Sequence, residues 1–172
     1  MAIPKTLKKL DGAQHALAQM ETAARHGQAN DFEHSLSSFL NSSRNVTFAL
    51  EKEAKQKKDA WFPAWRAGLP DEDRELLARM NKQRIADVHR GSAVTASSVQ
   101  YVPTIMFPPT TQPWLHTGTA GPPGTESWVG KPVHYFVDST SPEEVLPVCR
   151  GYLKLLERLV QEFFVKYPEE AA

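Results

Sequence analysis

Between Ser92 and Val137 only Glu126 and Lys131 are charged, and seven of the chain's thirteen prolines fall there together with Gly118, Gly121, Gly124 and Gly130. Prolines at that density remove amide donors and break the i to i−4 ladder, so this stretch excludes a helix. Val99 to Phe107 and Val133 to Val137 are β-leaning runs, which predicts an irregular insert, 92–140, with one short two-stranded pairing. A freely solvated linker is normally charged or rich in Gly and Ser. Here Tyr101, Ile105, Met106, Phe107, Trp114, Leu115, Trp128, Tyr135 and Phe136 remain, so the insert is expected to pack onto helices or onto a partner chain.

The segments on either side read as helices. From Pro4 to His26, Leu10, Ala13, Leu17, Met20 and Ala24 recur at steps of three and four, which stacks them on one face, and Gly27 suits the stop. Phe32, Leu36, Phe39, Ser43, Val46 and Leu50 continue that period in a second long helix, capped by Asn30 or Asp31, with charged residues filling 51–58. So short a connection predicts an antiparallel helical hairpin. Trp61 and Trp65 sit four apart in a short helical or turn segment whose rings are expected to pack between hairpins. Leu69-Pro70-Asp71-Glu72 opens a helix that runs to Arg90 and stops at Gly91; its apolar content is thin (Leu76, Leu77, Met80, Ile85, Val88), which predicts exposure or the wall of a groove. Ser141-Pro142-Glu143-Glu144 has the composition of a capped start for a last helix carrying Val145, Cys149, Tyr152, Leu156, Leu159 and Phe163. Leu146, Leu153 and Val160 widen that stripe, so this helix is either the central core element or a dimer face. The expected fold is therefore mainly all-α: a single domain over 1–172, an antiparallel bundle of four to five helices with a Pro-rich, partly β insert.

Twenty basic and twenty acidic side chains cancel, so the chain as a whole carries no field toward nucleic acid or anionic lipid. Residues 1–91 hold 15 Lys/Arg against 12 Asp/Glu (+3) and residues 138–172 hold 4 against 7 (−3), an asymmetry that solvated helix faces account for. Cys149 is the lone cysteine and permits no internal disulfide, and no apolar run approaches the ~18 residues of a membrane span, so a cytoplasmic protein without a membrane partner is expected. His15, His26 and His34 share no ligand spacing, and His116 and His134 stand eighteen apart, so no metal site is expected and no cofactor motif is present.

The run Phe39-Leu40-Asn41-Ser42-Ser43-Arg44-Asn45-Val46-Thr47-Phe48-Ala49-Leu50-Glu51-Lys52-Glu53, followed by an aromatic cluster and Arg84-Ile85-Ala86-Asp87-Val88-His89, resembles HEPN-type proteins. Those are compact helical bundles, usually dimeric, and the likeness covers the helices at 29–90 and 141–166 but not the insert. Catalytic members are metal-independent ribonucleases that use an Arg followed a few residues later by His. The resemblance implies that Arg84 and His89 hold those roles, with Asp87 standing in for the polar residue that usually follows the Arg, a place Ile85 takes here. It implies RNA as partner, a homodimer, no cofactor, and Arg44 and Asn45 as a second polar site for binding.

The chemistry is coherent for these residue types. Histidine exchanges protons near neutral pH, here with a ribose 2′-hydroxyl, and arginine's forked donors hold a phosphate and the charge that builds on it. On a regular helix, however, a separation of five places Arg84 and His89 about 140° apart, so they converge only if the helix frays or two subunits contribute. Plainer roles stand beside these: an Arg84–Asp87 ion pair, His89 favoured by the helix dipole, and Arg44-Asn45 as an interhelical hydrogen-bonding pair. The alternative function is a non-catalytic dimeric interaction or ligand-binding protein that uses the 92–140 insert.

Overall fold

Ala13, Ala16, Leu17, Met20 and Ala24 on one helix and Phe32, Leu36, Phe39, Leu40 and Leu50 on the next are all buried, and their stripes lock the two into a hairpin. The computed structural model describes residues 4–90, 95–105, 126–137 and 142–168. Along these run α1 (Lys5–His26), α2 (Ala29–Glu53), α3 (Lys55–Ala67), α4 (Asp71–Arg90), β1 (Thr95–Ile105), β2 (Glu126–Phe136), β3 (Glu143–Glu144) and α5 (Val145–Lys166). The fold is mainly helical with one small antiparallel sheet, as expected from the sequence. No described helix is long and apolar enough to cross a membrane.

Gly27 ends α1 at φ 67°, in the left-handed region where a side chain would be strained, and the amides of Gly27 and Gln28 close onto the Ala24 and Ala23 carbonyls. One residue later the chain re-enters a helix. Phe32 N donates to Gln28 O, so α2 begins at Ala29 with no side-chain cap and the expected capping by Asn30 or Asp31 is replaced by backbone closure. The antiparallel pairing brings the end of α2 to the start of α1. There Glu53 accepts hydrogen bonds from Lys5 N (2.5 Å), Thr6 N (3.0 Å) and Thr6 Oγ1 (2.6 Å), capping a helix whose own flanking residue, Pro4, offers no side-chain acceptor.

Burial alone would raise the Glu53 pKa, but the hydrogen bonds from Thr6 and Lys5, with the Lys5 charge nearby, outweigh it and hold the carboxyl below its ordinary value. The folded state therefore binds this proton less readily than the unfolded chain does, and the stabilisation is complete above the unfolded pKa and fades as pH falls through the folded one. Glu53→Gln is expected to cost about 1 kcal/mol at pH 7 and progressively less as pH falls below the ordinary carboxylate range, read from guanidinium denaturation across that range.

The long helix expected through the charged run 51–58 breaks instead at Ala54, whose backbone (φ −138°, ψ 43°) leaves the helical region and turns the chain into α3. Trp65 is buried with its Nε1 donating to Glu162 Oε2 at 2.7 Å, and Trp61 meets Phe163 edge-on at 5.5 Å, so both indoles pack α3 onto α5. Arg158 joins Asp73 at 2.6 Å and Arg150 joins Glu21 at 2.7 Å, pinning α5 to α4 and α1. Between these elements α5 is the central core helix: Cys149, Leu156 and Phe163 are fully enclosed, and burial pushes the Cys149 thiol far up, against the weaker pull of Arg79.

Two expectations about the insert require correction. Its pairing is not short, for β1 and β2 align eleven consecutive residue pairs from Thr95↔Phe136 to Ile105↔Glu126. The last helix does not open at Ser141-Pro142. Glu143 and Glu144 pair with Phe136 and Tyr135 as β3, Arg79 holds Glu143 at 2.8 Å, and α5 starts at Val145 without a side-chain cap. Strand pairing and an ion pair override the local capping signal. Phe136 is fully buried beneath the Arg79 guanidinium, and His134 stacks on Phe32 (3.7 Å between centroids, 9° between planes), so β2 docks on the helices through this end. The side chains of Tyr101, Ile105 and Trp128, and residues Met106, Phe107, Trp114 and Leu115, lie outside the described part, as do Gly91, His116 and Ser141.

Candidate functional site

Four helices surround a cleft of about 400 Å³; α2, α3 and α4 each contribute a side-chain row at helical spacing, and α5 a single residue. From α2 come Arg44, Thr47 and Glu51; from α3 Lys58, Phe62 and Arg66; from α4 Leu77, Ala78, Asn81 and Arg84; from α5 Tyr152. Leu76, Leu77 and Met80 turn toward the core, while Ile85 and Val88 are 42% and 55% exposed, so the thin apolar content of α4 does correspond to a groove wall. The core face of α4 is completed by polar groups, Gln83 and Asp87, both buried.

Among the described lining residues, four cations against one carboxylate make the cleft strongly positive. Glu51 is engaged by Lys58 at 3.4 Å. Arg44, Arg66 and Arg84 have no carboxylate partner among the described residues. Arg44 Nη1 donates to Thr47 Oγ1 (2.9 Å), an intrahelical bond that aims the guanidinium along α2. Arg84 Nε is buried and unpartnered among the described residues, a state that costs about 1–3 kcal/mol and favours an incoming acceptor. Tyr152, 8% exposed, forms part of the lining; burial pushes its pKa up to about 12, opposed by the charges of Arg44 and Arg84, so its hydroxyl stays protonated as a donor.

Two rows repeat one pattern. Arg44, Phe48 and Lys52 stand at steps of four on α2, and Lys58, Phe62 and Arg66 do so on α3. Lys52 lies 4.5 Å and Arg44 5.9 Å from the Phe48 centroid, and Lys58 lies 5.1 Å from that of Phe62. Phe48 is 43% exposed, so an aromatic face flanked by cations lies one helical turn along α2 from Arg44, which lines the cleft.

Of the residues singled out from sequence, the structure brings Arg84 and Arg44 into this cleft and leaves the others elsewhere. His89 is exposed beyond it and does not line it. Asp87 accepts a hydrogen bond from Ser37 Oγ at 2.7 Å, tying α4 to α2, so it is engaged with Ser37 rather than with Arg84. Asn45 is exposed on α2, and Arg44-Asn45 is no interhelical hydrogen-bonding pair, because neighbouring helical positions point about 100° apart. The residues that sequence reading missed are Phe48, Lys58, Arg66 and Tyr152. A signal existed for three of them in the two cation–aromatic–cation rows.

Among the described residues no group of three or more His, Cys, Asp or Glu side chains is arranged to hold a metal ion. His134, the buried imidazole, is taken up by its stack on Phe32. Compared with protein-family models, with curated proteins and with solved structures, the chain matches none of them, and the cleft's own chemistry carries the functional argument.

Proposed function

We propose that this chain is a HEPN-like helical module that binds single-stranded RNA through the cleft between α2, α3, α4 and α5, acting as a cytoplasmic homodimer. The observation that carries the reading is Arg84, its Nε buried without a partner among the described residues, beside Arg44, Arg66 and the Tyr152 hydroxyl. Fixed guanidinium forks suit phosphate oxygens, and an exposed aromatic such as Phe48 offers a face on which a base stacks without sequence preference.

Ribonuclease chemistry is the further step in this reading. Arg84 would hold the scissile phosphate and His89 would move the 2′-hydroxyl proton, but His89 lies outside the cleft of its own chain. A catalytic pair therefore draws His89 from a second copy, with Asp87 acting only by bracing α4 against α2.

Fluorescence anisotropy with a labelled single-stranded RNA, in the presence of chelator, tests the binding. Arg84→Ala is expected to weaken it about tenfold across sequences and to flatten the salt dependence by roughly one phosphate contact. Equal affinities of wild type and variant would overturn the assignment. Cleavage without metal that disappears in His89→Ala supports the enzymatic step; cleavage by both proteins, or by neither, leaves the cleft as a binding site alone.

A further inference from the structure

Among the described residues the sheet order β1-β2-β3 makes β1 an edge strand, and it is β2 that docks on the helices. Edge strands are usually blunted by charge, proline, bulges or a covering element. Residues 95–105 carry no charge, and their register with β2 runs through eleven pairs without a bulge. Ala96, Ser97, Ser98 and Val99 are exposed, Val99 by 57%.

The prolines tell which backbone groups face outward. Val99 lies opposite Pro132 and Pro103 opposite Trp128. A proline cannot donate to its neighbour, so both positions belong to non-hydrogen-bonded pairs of the β1·β2 ladder. Residues 95, 97, 99, 101 and 103 share that parity and direct their N–H and C=O groups away from β2. On β1 the outward donors of 95, 97, 99 and 101 are intact, and the first interruption is Pro103. The opposite edge of β2 is poorer, since Pro132 faces it and Glu126 and Lys131 lie along that strand.

We infer that β1 pairs with β1 of a second copy, antiparallel, about a two-fold axis at Ser98. In that register Ser97 meets Val99 and Thr95 meets Tyr101 of the other copy, each twice by symmetry. Four pairs exchanging two bonds each give about eight backbone hydrogen bonds, and Pro103 falls beyond the ladder. A shift of the axis to Val99 would form no more bonds and would set Pro103, which cannot donate, against Thr95 at each end. An uncharged strand meets its own copy without like-charge repulsion, whereas it offers no charge by which to select a foreign segment. Seven paired residues make a contact well short of a standard interface of about 1,600 Å², so the dimer forms in the micromolar range.

The inference stands independently of RNA binding and is read by mass. Sedimentation equilibrium of the full chain from about 1 to 100 μM is expected to show a monomer–dimer equilibrium. Val99→Pro removes an outward donor while leaving the β1·β2 ladder intact; it should sediment as a monomer with unchanged helical circular dichroism. As a second reading, Ser98→Cys places a thiol on the axis and should give a disulfide dimer under mild oxidation, much faster than Ala96→Cys, which lies off it. A wild type that remains monomeric at 100 μM, a dimer unaffected by Val99→Pro, or Ser98→Cys crosslinking no faster than Ala96→Cys would overturn the inference. Should Val99→Pro lose its helical signal, the cysteine comparison decides alone.

Discussion

Phe163→Ala is expected to destabilise the protein by about 3–5 kcal/mol, a large part of the roughly 5–15 kcal/mol that holds a domain of this kind together. The ring is fully enclosed. It meets Trp61 at 5.5 Å and 65°, Phe164 at 5.8 Å and Tyr167 at 5.0 Å, so truncation empties a space walled by aromatic groups from α3 and the end of α5. Rigid rings on separate elements cannot collapse into such a void, which places the cost in the upper part of the range for large-to-small changes. Phe163→Leu keeps most of the volume and should cost less than half as much. Urea denaturation followed at the helical band checks both, and a loss below about 1.5 kcal/mol for the alanine variant would show that α3 is not anchored there.

Lowering the pH below about 6 is expected to loosen the junction between β2 and the helices through His134. Its imidazole is 7% exposed and stacked on Phe32, and burial holds its pKa below the ordinary value, against the opposing pull of the Glu33 carboxylate. Glu144 lines the same small cavity from β3. Because the folded state resists a proton that the unfolded chain accepts, stability is complete above the unfolded pKa near 6.5 and falls as pH drops toward the folded one. The slope in that window is bounded by about 1.4 kcal/mol per pH unit for one proton. His134→Phe retains the stacking and removes the titration. Denaturation curves between pH 7.5 and 5 should therefore fall less steeply for the variant by up to that slope, and parallel curves would exclude His134 as the source. Glu53 titrates lower, so the two contributions separate along the pH axis.

The helices were legible because burial in a bundle leaves a periodic trace. Every apolar position placed on the core stripe of the second and last helices is buried except Leu146, which is half-buried at the start of α5, since helix faces repeat every 3.6 residues whatever they pack against. Helix starts were less legible. Asn30, Asp31 and the Ser141-Pro142-Glu143-Glu144 run carry capping chemistry, yet a single-residue connection after Gly27 and the pairing of Glu143 and Glu144 with β2 took precedence. A capping preference is worth about 1 kcal/mol, and a strand ladder with an ion pair outweighs it.

The candidate site divides in the same way. The sequence by itself determined which side chains lie on one face of one helix: Arg44 with Phe48 and Lys52, Lys58 with Phe62 and Arg66, and Arg84 well apart from His89 around α4. Only the tertiary structure decided that Arg44, Arg66 and Arg84 share a cleft with Tyr152, that Asp87 serves Ser37, and that His89 stays outside. Spacing along a chain sets direction within a helix, whereas proximity between helices depends on how the buried stripes of α1, α2 and α5 pack, and no local pattern encodes that.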